Sequence, residues 1–231
     1  MNTDNLKRRA AEAAIAEIHQ DMRIGLGTGS TAKFFVDLLG ARVREGLRCV
    51  CVPTSEQTAR QASELGIPLT DLDHLDRLDL TVDGTDEIDT RLSLIKGGGG
   101  ALLREKIVAA ASDRLIVIAD QSKMVSRLGA FALPVEVNSF GLGATRHAVA
   151  AVMENNGEGR KIELRKTVTG VDFVTDGGHK ILDAFFGRIS DARALSRALL
   201  DIPGVVQHGL FLDMCDTAYL AGPDGVTKHR L

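Results

Sequence analysis

The chain has 231 residues, 44% hydrophobic and 26% charged, enough apolar material for one large domain or for a domain with a smaller companion. Its 28 basic residues against 31 acidic ones leave a formal charge of -3, which gives no electrostatic reason to expect nucleic acid as a partner. The three cysteines, Cys49, Cys51 and Cys215, form no Cys-x-x-Cys pair and argue against a disulfide framework or a structural zinc site, and no apolar run approaches the roughly 18 residues of a membrane span.

Residues 4–19 read as an amphipathic helix, with Ala11, Ala14, Ile15 and Ile18 as its apolar stripe. It carries acids and is followed by no apolar export core, so the cytoplasm is the expected location. "MRIGLG" is a strand entering a turn, residues 31–45 a helix, "LRCVCVP" a second strand, and residues 55–65 a helix that Gly66 closes. "LDLTVDG" and "DRLIVIAD" are two further strands, with a helix over 101–111 between them. Such alternation implies a doubly wound α/β domain, a parallel sheet with helices on both faces and ligand sites at the carboxyl ends of its strands.

Beyond residue 130 the order becomes strand, helix, strand, strand, helix, strand. "LPVEVN", "GATRHAVAAVMEN" and "RKIELRK" come first. "DFVTDGGHKILDAFF" then reads as a hairpin turning at Asp176-Gly177-Gly178, and "SDARALSRALLDIPG" as a helix with Ser190 as N-cap. This pattern suggests a small α+β, ferredoxin-like subdomain. The strands "VVQHGLFLDMC" and "TAYLAGPDG" end the chain. The expected division is a Rossmann-like catalytic domain over 1–129 and 208–231, and a subdomain over 130–207 that takes part in oligomer contacts.

Three loops carry the chemistry. "GLGTGST" (25–31) joins a strand to a helix and offers main-chain amides and a helix N-terminus to an anion. It lacks the Gly-Lys-Ser/Thr of a P-loop, and Ser30 stands where a dinucleotide fingerprint has its third glycine. "VDGTDEID" (82–89) places Asp83 and Asp86 in one turn, suited to acid/base work or to holding hydroxyls; it lacks the spacing of a calcium loop. "KGGGGALLREK" (96–106) runs four glycines straight into a helix. Successive helical residues are about 100° apart, so Arg104, Glu105 and Lys106 fan around the helix and cannot share a solvent face. The i±3 and i±4 neighbours of Glu105 are Ala101, Leu102, Val108 and Ala109, all apolar. A carboxylate there is partly desolvated, which moves its pKa up from about 4.3 toward the range of a general base.

The three loops, in this order, closely resemble the ribose-5-phosphate isomerase A family. "IADQSKMV" (118–125) and "IPGVVQHGLF" (202–211) resemble two later segments of it, so the likeness spans nearly the whole chain. Leu103, where a small polar residue is expected, and the closing "LFLDMCDTAYLAG" depart from the pattern. The resemblance implies interconversion of ribose 5-phosphate and ribulose 5-phosphate with no cofactor and no metal. It implies Glu105 as the base moving a proton between C2 and C1, and Lys96 with the amides of Gly97 and Gly98 as the cradle for the enediolate oxygen, with Gly99 beside them. Asp83 and Asp86, with Gly84 and Thr85, would hold the sugar hydroxyls and assist ring opening. Thr28, Gly29, Ser30 and Thr31 would bind substrate, with Lys7 and Lys123 near the phosphate. A homodimer is implied in the same way; no nucleic acid or membrane partner is expected.

Three rival readings fit less well. A nicotinamide-dependent oxidoreductase lacks an acid ending its second strand; "REGLRCVCV" stands there instead. A sugar-phosphate sensor would need a DNA-binding unit, and a single N-terminal helix is too short for one. An amino-sugar phosphate deaminase should carry a histidine in these loops. His19, His74, His147, His179, His208 and His229 all lie outside them.

Overall fold

The computed structural model describes residues 2–230. In chain order the elements are α1 (Thr3–Ile15), β1 (Met22–Leu26), α2 (Ser30–Arg44), β2 (Cys49–Pro53), α3 (Glu56–Glu64), β3 (Leu80–Asp83), β4 (Glu87–Ile88), β5 (Leu94–Ile95) and α4 (Leu102–Ala110). There follow β6 (Leu115–Asp120), β7 (Leu133–Val137), α5 (Leu142–Asn156), β8 (Lys161–Leu164), β9 (Lys180–Phe185), α6 (Ala192–Leu200), β10 (Val205–His208), β11 (Leu210–Phe211), β12 (Thr217–Gly222) and β13 (Gly225–Arg230). They divide into two compact units. One runs up to Thr85, resumes over Arg104–Lys123, and takes the chain from Asp213 on; the other comprises Asp86–Leu103 and Met124–Leu212. The segment 86–103, placed with the first domain on sequence grounds, thus groups with the second unit.

The first unit is a six-stranded sheet in the order β13-β12-β6-β3-β1-β2, parallel except for β13. Alternation along β1 explains its two faces. Ile24 and Leu26 join Ala10, Ala11 and Ala14 of α1 and Phe35 and Leu39 of α2 in one core. Gly25 faces the other way, where a Cβ would come within 2.7 Å of Val108 on α4. The carboxyl ends of β1, β3 and β6 therefore lie along one edge, β1 feeding the 25–31 loop, β3 the 82–89 loop and β6 the short turn that holds Lys123.

The first helix ends at Ile15, not near 19. Glu17 and Ile18 close the last turns by bonding to Ala14 and Ile15, so the apolar period continues past the helix into a tighter turn. The terminal strand β13 was not foreseen. Its Thr227 and Lys228 are exposed, as suits an edge strand, and that composition hides it from a search for apolar alternation.

The second unit contains β7, α5, β8, β9, α6 and β10, with an antiparallel sheet in the order β10-β7-β9-β8. Numbered within the motif this is 4-1-3-2, the ferredoxin-like arrangement. Val135, Val149, Met153, Leu182, Leu195 and Leu199 fill its core. The tight turn at Asp176-Gly177-Gly178 is present, closed by Thr175 and His179, but no strand precedes it. The segment from Arg165 to Phe173 forms a separate loop, and β9 pairs with β7 and β8. Asp191, not Ser190, caps α6, its carboxylate accepting from the amides of Arg193 and Ala194. A small antiparallel sheet, β11-β5-β4, completes the unit.

Candidate active site

In the first unit the chain leaves β1 through Gly27, Thr28 and Gly29 and enters α2 at Ser30. Gly29 is the N-cap, with φ of 112°, and makes no side-chain cap bond to the first-turn amides. An uncapped N-terminus keeps its donors and its positive dipole end for an anion. The turn is held from beneath. The Thr28 hydroxyl lies 2.7 Å from that of Thr54, 2.8 Å from Ser55 and 3.1 Å from Thr58, all four residues being buried. Asp83, at the end of β3 and 1% exposed, accepts at Oδ1 from the amides of Thr28 (3.1 Å) and Gly84 (2.7 Å). A Cβ on Gly84 would sit 3.9 Å from that of Thr31. Thr28, Gly29, Ser30, Thr31, Asp83 and Gly84 are thus one neighbourhood, with Thr85 next in the chain.

Lys7 and Lys123 belong to the same unit. Arg9 donates to the Gly222 carbonyl (3.2 Å), which ties the first half of α1, and Lys7 with it, to the carboxyl end of β12. Lys7 has a largely buried side chain and pairs with Asp4 at 3.5 Å. Lys123 closes the short 3-10 turn that follows β6.

In the second unit Lys96 is 2% exposed; its amide donates to Gly209, and its Nζ lies 5.5 Å from the centroid of the Phe211 ring. Positive φ at Gly97 (105°) and Gly100 (84°) and the bond from the Gly100 amide to the Gly97 carbonyl fold the loop back on itself. Gly98 and Gly99 are left exposed. The Gly98 amide donates to Asp86 Oδ2 at 2.7 Å. The two aspartates expected as one turn are therefore engaged by different loops, Asp83 by the 27–28 turn and Asp86 by the glycines.

On α4 the charged trio does fan apart. Arg104 pairs with Glu56 at 2.8 Å in partial solvent. Burial pushes the Lys106 ammonium down to about 7. Glu105 is 4% exposed, and Ala101, Leu102, Val108 and Ala109 are buried as well, so it lies on the apolar side that its spacing indicated. Among the described residues no group of three His, Cys, Asp or Glu is arranged to hold a metal ion, and no helix is long and apolar enough to cross a membrane.

Residues 50–225 match the family model described as ribose 5-phosphate isomerase A (phosphoriboisomerase A). A ribose-5-phosphate isomerase A of Rhodopseudomonas palustris (strain HaA2) is 60% identical over 226 residues, covering 98% of this chain and 97% of that one. The chain belongs to the ribose-5-phosphate isomerase A family. It is accordingly an isomerase. Among solved structures, a D-ribose-5-phosphate isomerase in complex with phospho-erythronic acid superposes with a TM-score of 0.94 at 39% identity, over 100% of both chains. Ribose 5-phosphate isomerase from Plasmodium falciparum gives 0.93 at 38%, over 99% of both.

Several residues that shape the loops of this isomerase escaped the sequence reading. Thr54, Ser55 and Thr58 come from β2 and the start of α3, and nothing local marks them as partners of Thr28. Gly27 did have a signal, since it stands within "GLGTGST". A Cβ there would fall 2.1 Å from Asp83 Oδ1 and 2.5 Å from Asp83 Cα, so only glycine fits. Arg165 donates to the carbonyls of Gly97 and Gly98 across 68 and 67 residues of chain, a separation at which no sequence pattern speaks.

Proposed function

We propose that this chain interconverts D-ribose 5-phosphate and D-ribulose 5-phosphate by proton transfer through an enediolate, with Glu105 as the base. The observation that carries the reading is a carboxylate 4% exposed on the helix that the glycine loop leads into. From the open-chain aldose, Glu105 takes the proton at C2. The C2–H electron pair becomes the C1–C2 double bond, and the negative charge settles on O1. Lys96 and the amides of Gly97 and Gly98, with Gly99 beside them, stabilise that oxygen, the Gly98 amide exchanging Asp86 Oδ2 for it; a preorganised donor of this kind is worth about 2.7–4 kcal/mol. Glu105 then returns the proton to C1, while the O2 hydroxyl proton passes to O1 and O2 becomes the ketone oxygen. Every atom is conserved, and no electron leaves the substrate.

The phosphate suits the uncapped start of α2, with Ser30, Thr31, Lys7 and Lys123 supplying donors and charge. Thr28 acts through its turn, because its hydroxyl and amide are engaged within the protein. Asp83 and Asp86, with Gly84 and Thr85, are assigned to the sugar hydroxyls and to ring opening. The phospho-erythronic acid held by one relative fits the same chemistry, since a planar carboxylate next to a hydroxylated carbon imitates an enediolate. We place the reaction in the non-oxidative pentose phosphate pathway of the cytoplasm and the protein in a homodimer; sedimentation of the purified chain as a monomer would overturn the last point.

The test is conversion of ribose 5-phosphate by wild type and Glu105→Gln side by side. The amide cannot accept a proton, so kcat should fall by about 10²–10⁴-fold or more with the fold retained. Turnover near the wild-type rate would remove Glu105 from the base role.

A further inference from the structure

The second unit contains a cation whose place is not explained by packing alone. Arg165 follows directly on β8. Its Nη1 donates to the Gly97 carbonyl at 2.7 Å and to the Gly98 carbonyl at 3.2 Å. Its remaining edge is fixed by Asp183 of β9, which accepts from Nε at 2.9 Å and from Nη2. Both side chains are largely buried, 13% and 19% exposed. The guanidinium also stands 6.0 Å from the centroid of the Phe173 ring, and that ring fills the space where a Gly100 Cβ would point, 2.3 Å from its Cζ.

The carbonyls that Arg165 grips belong to the peptides whose other ends are the Gly98 and Gly99 amides. A charged donor on a peptide oxygen pulls electron density from the attached nitrogen, so the N–H on the same peptide becomes a stronger donor. It also fixes the plane of a peptide flanked by glycines, which would otherwise have the widest choice of orientations. Asp183 matches the charge of Arg165, so the pair contributes direction and polarisation more than net charge. The Gly98 amide already holds an anionic oxygen, that of Asp86, at 2.7 Å.

We propose that Arg165, locked by Asp183, is a positioning residue that orients and strengthens the amide donors of the glycine loop for the negatively charged oxygen of the transition state. The proposal rests on the reading of that loop as an oxyanion cradle. Within the glycine loop Arg165 holds only main-chain carbonyls, and its effect is transmitted through two peptide groups.

The experiment compares wild type, Arg165→Met, Arg165→Lys and Asp183→Asn for kcat, KM, thermal midpoint and inhibition by phospho-erythronic acid and by inorganic phosphate. Loss of one oxyanion donor costs about 10²–10³-fold in kcat, so weakening the Gly98 donor, and the Gly99 amide beside it, through their peptides should cost Arg165→Met about 10–100-fold. KM and inhibition by inorganic phosphate should move less than about threefold. Inhibition by phospho-erythronic acid should weaken in step with kcat/KM, because both report binding of the delocalised anion. Arg165→Lys, which keeps a charge but loses the fork, and Asp183→Asn should fall between Arg165→Met and wild type. A folded Arg165→Met with wild-type kcat overturns the proposal, as does a loss in which both inhibitors and KM weaken equally. If Arg165→Met does not fold, the same comparison in the two milder variants decides. Glu105→Gln run in parallel separates the two readings. Wild-type turnover in that variant means the mechanism itself has failed, whereas an inactive Glu105→Gln beside a fully active Arg165→Met sinks only the role of Arg165.

Discussion

The two glycine-rich loops, both proposed to present main-chain amides to an anion, are held in place by different means. The 27–31 turn is braced from below by short side chains: four hydroxyls of Thr28, Thr54, Ser55 and Thr58, and the Asp83 carboxylate that takes the Thr28 amide together with that of Gly84. Its donors are those of a helix N-terminus and need only be left uncapped. Among the described residues no such floor of hydroxyls lies under the 97–100 loop, though Asp86 takes its Gly98 amide. It is gripped by its carbonyls, through a long cation, and shaped by an aromatic ring. Under the proposed mechanism the difference has a purpose: a phosphate carries its full charge throughout the reaction and suits a rigid, preformed nest, whereas an enediolate oxygen gains its charge only near the transition state, where donors fixed in advance are most effective.

The sharpest way to break the first loop is Gly27→Ala. The new methyl would meet the backbone of Asp83, which cannot swing aside, so destabilisation of about 3 kcal/mol is expected, at the upper end of the overpacking range. Chemical denaturation measures it; an unchanged midpoint would mean that the braced turn is looser than described. Gly100→Ala should cost about 2 kcal/mol, since φ of 84° strains any L residue and the Phe173 ring stands in the way. Combining it with Phe173→Ala tells the two causes apart. Recovery of stability in the double variant assigns the cost to the ring, and no recovery assigns it to the backbone. Thr28→Val, nearly the same shape without the hydroxyl, should lose about 1–2 kcal/mol by leaving buried hydroxyls short of a partner. Binding of inorganic phosphate should weaken little, because the helix amides remain. A steep loss of phosphate affinity in a folded Thr28→Val would show that the Thr28 hydroxyl itself reaches the ligand.

The same contrast explains what could be read from the sequence. The α/β alternation and the strand-helix-strand-strand-helix-strand order were legible because burial imposes a period on each element. Glu105 was legible for that reason too: its neighbours at three and four residues are apolar, and helix geometry fixes their side. The strand β13 was not, because an edge strand can be polar and still pair. Asp191 was passed over for Ser190, since adjacent residues offer the same capping chemistry and only the turn geometry chooses between them. What holds each loop in place was the least legible. The hydroxyl partners of Thr28 lie 26 to 30 residues away and Arg165 lies 68 from Gly97. Contacts of that kind follow from the folded topology and leave no local period.

The smallest expected effect concerns another partly buried cation. Arg165 is matched by a carboxylate, and a guanidinium stays charged in proteins. Lys106, beside Glu105, is instead lowered from its ordinary 10.5 to about 7, and the cause is burial. Between those two values the native state holds less of the proton than the unfolded chain does, so stability rises as pH rises from about 7 toward 10.5. Below about 7 both states are protonated and the whole cost of desolvating the charge is present. Lys106→Met removes the charge and keeps most of the volume. It should therefore raise stability at pH 6 and flatten the profile, converging on wild type at high pH. The gain should be on the order of 1 kcal/mol, because the side chain is partly exposed and water screens much of the penalty. Denaturant midpoints of the two proteins at pH 6, 8 and 10 provide the measurement. If the profiles run parallel, Lys106 keeps its solvation in the folded state, and the helix after the glycine loop is more open on that side than its burial implies.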